Sequence, residues 1–156
     1  MGVEIERKFL VAGNDWRRSV RSSRQLKQGY LAVDGGTTVR VRTDGQSAWL
    51  TIKGSPQGLT RPEFEYEIPA AEASALLDLC QGRTVEKTRH LIPTDGHVWE
   101  VDEFEGRNSG LIVAEIELRD AAEKFARPAW LGAEVTEDPR YLNARLAVHP
   151  FSQWAR

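Results

Sequence analysis

A single cysteine stands in this chain of 156 residues, and that scarcity closes several routes at once. Cys80 cannot form a disulfide within the chain, and a zinc site built on thiolates would need partners that are not there. The three histidines, His90, His97 and His149, are scattered without metal-ligand spacing, so each reads as a structural or surface residue. No apolar run is long enough to span a bilayer. Glu4 and Glu6 stand where a secretory signal needs apolar residues, and Glu6 occupies the Ser/Thr position of a myristoylation signal. A reducing, cytoplasmic setting without membrane contact is therefore expected. A strong net charge is also missing: 21 Lys and Arg against 23 Asp and Glu leave -2. No global field argues for nucleic acid as a partner, so any polyanion must meet positive charge concentrated locally.

The chain also lacks internal repeats, low-complexity tracts and linkers. With 40 % hydrophobic and 28 % charged residues it reads as one ordinary globular domain, residues 1–156, large enough for a substantial core.

What is abundant is alternation with period two, the mark of strands with chemically different faces. It predicts strands at 3–11, 25–34, 37–43, 47–53, 62–68, 84–92, 97–104 and 111–118, with tight turns at Asp34-Gly35-Gly36, Asp44-Gly45 and Asp95-Gly96. The segment 70–80, rich in Ala, Leu and Glu and followed by Gly82, predicts a helix. A short helix is expected within 120–126, and Asp138-Pro139 reads as the cap of a C-terminal helix over 140–148. The fold class that follows is mainly β (α+β): an antiparallel barrel or strongly curved sheet of about eight strands, with a few flanking helices.

Residues i and i+2 share a strand face. One face collects Glu4, Glu6, Lys8, Arg40, Arg42, Thr51 and Lys53, then Glu63, Glu65 and Glu67. It continues with Lys87, Arg89, Glu100, Asp102, Glu115 and Glu117. The opposite face is largely apolar, with Phe9, Val41, Leu50, Phe64, Trp99, Val101 and Ile116 among its members. Any one doublet reads most simply as a wetted sheet surface. The whole set, acids and bases in repeated doublets, is unlike the Ser, Thr, Gln and Lys mixture of such a surface. Closing the strands into a barrel can turn it inward. Charges crowded in a lumen must then pair or bind ions. Clustered carboxylates suit hard divalent cations, and arginines suit phosphate oxygens, which together is the chemistry of metal-assisted phosphoryl transfer. A small phosphate compound fits better than nucleic acid, because the aromatic residues alternate onto the other face and offer no evident stacking platform.

These residues resemble a known family. Glu4-Ile5-Glu6-Arg7-Lys8 is similar to the ExExK signature of the CYTH domain, or triphosphate tunnel metalloenzyme, superfamily. Gln28-Gly29-Tyr30-Leu31, Thr38-Val39-Arg40-Val41-Arg42 and Leu50-Thr51-Ile52-Lys53-Gly54 follow in the family's order. So do Glu63-Phe64-Glu65-Tyr66-Glu67, Glu86-Lys87-Thr88-Arg89, Trp99-Glu100-Val101-Asp102 and Ala114-Glu115-Ile116-Glu117. The resemblance runs over essentially the whole chain, to Arg140-Tyr141-Leu142-Asn143. His90, where an aromatic is common, and Glu137, where Gly is common, are mild departures.

The resemblance implies an eight-stranded antiparallel tunnel open to solvent, holding a triphosphate with Mg2+ or Mn2+ as two ions. Lys8, Arg40, Arg42, Lys53, Lys87 and Arg89 would bind phosphate, and Glu4, Glu6, Asp102, Glu115 and Glu117 would bind metal, with Glu63 and Glu65 as supporting acids. Glu100 is less secure, and Glu67 belongs near the mouth. Glu4, Lys8, Arg40 and Lys87 are the candidates for direct catalysis, Glu4 as proton acceptor. The leading expectation is hydrolysis of inorganic triphosphate to diphosphate and phosphate, since no sequence beyond the tunnel is evident for gripping a base or thiazole ring. Adenylate cyclase, thiamine triphosphatase and nucleoside triphosphatase chemistry are alternatives on the same scaffold. A non-catalytic polyphosphate-binding module is the alternative of another class. Tyr30 reads as packing rather than substrate contact, and Cys80 as a small buried hydrophobe. Trp130 and Trp154 stay open between core caps and a dimer surface, which also leaves a homodimer open.

Overall fold

A computed structural model describes residues 2–155. Nine strands form, at Val3–Val11 (β1), Ser22–Asp34 (β2), Thr37–Thr43 (β3), Ala48–Lys53 (β4), Thr60–Ile68 (β5), Thr84–Thr94 (β6), His97–Phe104 (β7), Ile112–Glu117 (β8) and Leu131–Glu134 (β9). Two short α-helices accompany them, Ala73–Leu79 (α1) and Asn143–Leu146 (α2). The strand order is β5-β4-β3-β2-β6-β7-β8-β1-β9, and β1 also pairs with β5. That second pairing, Val3 with Pro62 through Ile5 with Thr60, closes eight antiparallel strands into a barrel. The expected eight-stranded barrel is thus present. β9 is an addition that lies on the far end of β1, pairing Phe9 with Glu134 and Val11 with Leu131.

Three departures from the expected elements have local causes. No helix forms over 120–126. There the chain makes a single turn, with the Asp120 carboxylate accepting from the Ala122 N–H at 2.7 Å. Glu123 is drawn to the Arg119 N–H at 2.6 Å and to His97 Nε2 at 2.6 Å, which ties the segment to β7 instead of letting it propagate as a helix. The C-terminal helix starts where expected, with Asp138 accepting from the Arg140 N–H, but the turn Pro139–Tyr141 is 3-10. Leu142 is extended (φ -66°, ψ 134°), and α2 then covers only Asn143–Leu146. The helix expected over 70–80 is likewise split into a 3-10 turn and α1.

Apolar residues gather in three places. Phe9, Trp16, Trp99, Val101, Ile116 and Trp130 pack on the outside of β1 and β6–β8, beneath the segments before β2 and after β8. The Trp99 and Trp130 rings meet edge to face at 5.7 Å, which makes the buried Trp130 a core cap, and the half-buried Trp154 meets Tyr141 at 5.1 Å. A second group, Val41, Leu77 and Cys80, forms where α1 lies on β2 and β3. Gly29 allows that approach: a Cβ there would stand 2.5 Å from Cys80 Sγ. Cys80 is fully buried, as its reading as a small hydrophobe requires. The third group includes Tyr30, Val85, Phe104, Val113, Tyr141 and Leu146. By strand alternation Val85, Phe104 and Val113 share faces with Lys87, Asp102 and Glu115, so this group fills one end of the barrel interior. The C-terminal segment plugs that end.

Candidate active site

The remainder of the interior is a cavity of about 480 Å³, within the range of small-molecule sites. Its wall brings together Glu4, Glu6 and Lys8 of β1, Arg40 and Arg42 of β3, Lys53 of β4, and Glu63 and Glu65 of β5. Lys87 and Arg89 of β6, Glu100 of β7, and Glu115 and Glu117 of β8 also line it. Strand register explains the convergence: Lys8 faces Glu115, which faces Glu100, and Arg40 faces Thr51, which faces Glu65. Glu67 is exposed and stands outside the wall.

Asp102 shares the inward parity but is placed differently from the other expected metal ligands. It is fully buried behind the wall, where Arg89 Nε donates to Oδ1 at 2.8 Å and Arg89 Nη2 to Oδ2 at 2.9 Å. Lys87 Nζ lies 2.7 Å from Oδ2, and Arg89 also reaches Glu100 at 3.2 Å. A buried ammonium without a partner would cost several kcal/mol, and Asp102 offsets that for two cations at once. Even so, burial, reinforced by Arg89 and Arg42, pushes Lys87 down to about 7, against the pull of Asp102. The same opposing forces on Asp102 resolve below its ordinary range, because Arg89 and Lys87 outweigh its burial.

The bases are only partly satisfied by protein. Lys53 Nζ donates to both Glu4 oxygens, at 3.0 and 2.9 Å, and stands 3.4 Å from Glu63. Arg40 Nη2 donates to Thr51 Oγ1, which donates on to Glu65, but Arg40 Nε is buried with no partner among the described residues. Arg42 donates to Gln28, whose amide donates in turn to Tyr30 Oη. Burial, then Arg40 and Arg89 as like charges, lower Arg42 to about 9. A buried donor without an acceptor and a guanidinium repelled by its neighbours both mark a place for an anion.

The carboxylates show the opposite imbalance. Burial, then Glu115 and Glu4, raise Glu6 well above the ordinary range. Glu115 is held low, its burial outweighed by Lys8, Arg89 and Lys87, and a hydrogen bond from Glu6 adds to this. The two neighbours are thus driven apart, Glu6 toward its protonated form and Glu115 toward its ionised one. Glu117 is raised by burial and then by Glu4, Glu63 and Glu100, and Glu100 is raised chiefly by burial. Lys8 is held above the lysine range because Glu115, Glu6 and Glu4 outweigh its burial. Among the described residues no three of these groups are already drawn into a cation cage. The donor set nevertheless fits a hard divalent cation: crowded oxygens that repel one another and hold a proton for want of a better counter-charge.

Several wall residues were not singled out beforehand. Arg61 lines the cavity and has the parity of Glu63, so extending β5 by one residue pair would have found it. Arg24 lies on β2 just before the expected strand start. Asn143 and Arg145 reach the wall from α2, where Asn143 Oδ1 accepts from Lys87 Nζ at 2.9 Å. No periodicity in the sequence marks them. Tyr30 both packs in the plugged end and lines the wall. The histidines lie apart: His90 bonds Ser23 and Glu103, and His97 bonds Glu123.

A closed antiparallel barrel that sets crowded carboxylates against an arc of buried bases defines a tunnel protein built for a polyanion. The CYTH domain model matches residues 2–147, and the chain belongs to that family. It is 45 % identical over 155 residues to an inorganic triphosphatase of Acetivibrio thermocellus, covering 99 % of each chain. It is 41 % identical over 150 residues to an inorganic triphosphatase of Nitrosomonas europaea, covering 93 % of this chain and 97 % of that one. A solved crystal structure of an inorganic triphosphatase superposes with a TM-score of 0.67 at 39 % identity, covering 92 % of this chain and 97 % of the other.

Proposed function

We propose that this chain hydrolyses inorganic triphosphate to diphosphate and phosphate, with Mg2+ or Mn2+, in a cytoplasmic setting. The observation that carries the reading is the double imbalance of the cavity, with bases short of acceptors on one side and carboxylates short of cations on the other. Relatives with the name inorganic triphosphatase, matched over nearly their full length, support it.

Glu4, Glu6, Glu115 and Glu117 would hold the divalent ions, two in number, which supply charge neutralisation and a more acidic water. Asp102 would serve them indirectly, by aiming Lys87 and Arg89 into the cavity. Arg40, Arg42, Arg89, Lys8 and Lys53 bind phosphate oxygens and offset charge on the leaving diphosphate. Lys53 must exchange Glu4 and Glu63 for phosphate, which releases the Glu4 carboxylate to accept the proton of the attacking water. Lys87, with its ammonium poised near neutrality, is a second group that can exchange a proton at Nζ.

The test is phosphate release from triphosphate, ATP and thiamine triphosphate, each with Mg2+ and with Mn2+. Triphosphate should give the highest kcat/KM. Preference for ATP or thiamine triphosphate would move the chain to another activity of the scaffold, and no metal-dependent turnover of any would sink the enzyme reading.

A further inference from the structure

Asn143 stands outside the set of residues on which the proposed function rests. It belongs to α2 in the C-terminal segment rather than to a barrel strand, yet it lines the cavity, and its Oδ1 accepts from Lys87 Nζ at 2.9 Å. Lysine has no acceptor, so the amide must present its oxygen there. Lys87 is fully buried, and its ammonium carries three N–H groups. One meets Asp102 Oδ2 at 2.7 Å and one meets Asn143, which leaves the third for the cavity that Lys87 also lines. Two acceptors in fixed positions set the direction of that third donor. They differ in charge. Asp102 offsets the ammonium while it also answers to Arg89, which donates to both of its oxygens. Asn143 is neutral, so it aims Nζ without cancelling any of the positive charge a phosphate would meet.

The C-terminal segment holds Asn143 from both sides. Tyr141, buried two residues before it, packs against Trp154, and its carbonyl oxygen accepts from Lys8 Nζ at 3.4 Å. Leu146, three residues after it, is fully buried. The Leu142 and Asn143 carbonyls accept from the Leu146 and Ala147 N–H groups at 2.9 and 3.0 Å. One short stretch thus reaches both Lys8 of β1 and Lys87 of β6, strands that β7 and β8 separate in the sheet.

We infer that Asn143 is a positioning residue: from outside the barrel strands it directs the Lys87 ammonium at bound triphosphate, as a neutral second acceptor beside Asp102. This rests on the triphosphatase reading of the cavity. Asn143 moves no proton, and loss of its amide acts only through Lys87.

The experiment is a double-mutant cycle on the affinity for triphosphate, by calorimetry, in the wild type, Asn143→Ala, Lys87→Met and the double variant. Metal is withheld so that the ligand stays intact. Loss of the amide should weaken binding about tenfold when Lys87 is present, and less than about twofold when it is not. An unchanged affinity in Asn143→Ala overturns the inference. So does an equal loss in both backgrounds, which would assign the effect to a displaced α2. Asn143→Asp keeps the shape and the acceptor but cancels the charge. It should melt with the wild type yet bind triphosphate at least about tenfold more weakly, and wild-type affinity there would overturn the role of a neutral acceptor. In turnover with Mg2+, Asn143→Ala should raise KM and leave kcat within about twofold; a loss confined to kcat would overturn the inference. The expected coupling in binding, without hydrolysis by the wild type, would support the inference and count against the inner-site chemistry alone. A wild type that does not bind triphosphate would overturn both.

Discussion

The two halves of the barrel interior are lined by the same strands at the same parity, yet they obey opposite rules. β6 contributes Val85 to the plugged half and Lys87 and Arg89 to the cavity; β8 contributes Val113 and then Glu115 and Glu117. In the plugged half each side chain contributes by leaving water, at roughly 25 cal/mol per Å² of apolar surface. In the cavity the deepest side chains, Lys8, Arg40, Lys87, Arg89 and Glu115, have lost most of their hydration and are tolerated only through opposite charges. The first half would hold with nothing bound. The second half carries a Glu6 carboxyl raised beside a lowered Glu115, a depressed Arg42 and an orphaned Arg40 Nε, all of which a bound polyanion with cations would resolve.

That contrast can be broken at both ends. Asp102→Asn should cost about 4 kcal/mol of stability, since it leaves Lys87 and Arg89 buried without their shared counter-charge. Leu146→Ala, in the plugged half, should cost about 3 kcal/mol, the usual range for a fully buried leucine. Denaturant unfolding measures both. A mild Asp102→Asn would mean that water reaches the charges more freely than their burial indicates.

Outside the barrel, Gly29→Ala should cost about 2 kcal/mol, because the new Cβ meets Cys80 Sγ, and Cys80→Ala should recover part of that loss. A double-mutant cycle by thermal melting checks it, and additive losses would sink the packing account.

The smallest effect is in pH. Lys87 sheds its proton at about 7 when folded, against 10.5 for the ordinary side chain. Between those values the unfolded chain binds more protons, so stability rises with pH across the window and is lost as pH falls toward 7. Relative to Lys87→Met, the metal-free wild type should gain on the order of 1 kcal/mol per pH unit from pH 7 to 9. No difference in slope would mean that Asp102 keeps the ammonium charged.

Much of this was legible in the sequence, because alternation is a local property. The strand pattern, the closed barrel and every cavity-lining base of the matched motifs followed from parity and motif order. Depth did not follow. Asp102 and Glu115 share parity, but only the register of β7 against β6 shows that Asp102 lies where Arg89 can cover both its oxygens. β9 was missed because four residues are too few to show a period. Its Gly132 is needed for close approach, a Cβ there standing 3.0 Å from the Leu10 carbonyl oxygen. The C-terminal segment read as one helix because nothing local reveals that Leu142 must extend to bring Asn143 to Lys87.

The most direct test of the central claim is phosphate release from triphosphate by the wild type and Glu117→Gln, with Mg2+ and with a chelator. The account expects turnover only with the metal, and a loss of at least about 100-fold in the variant without loss of fold. Equal turnover by both proteins, or turnover undiminished in the chelator, would contradict it.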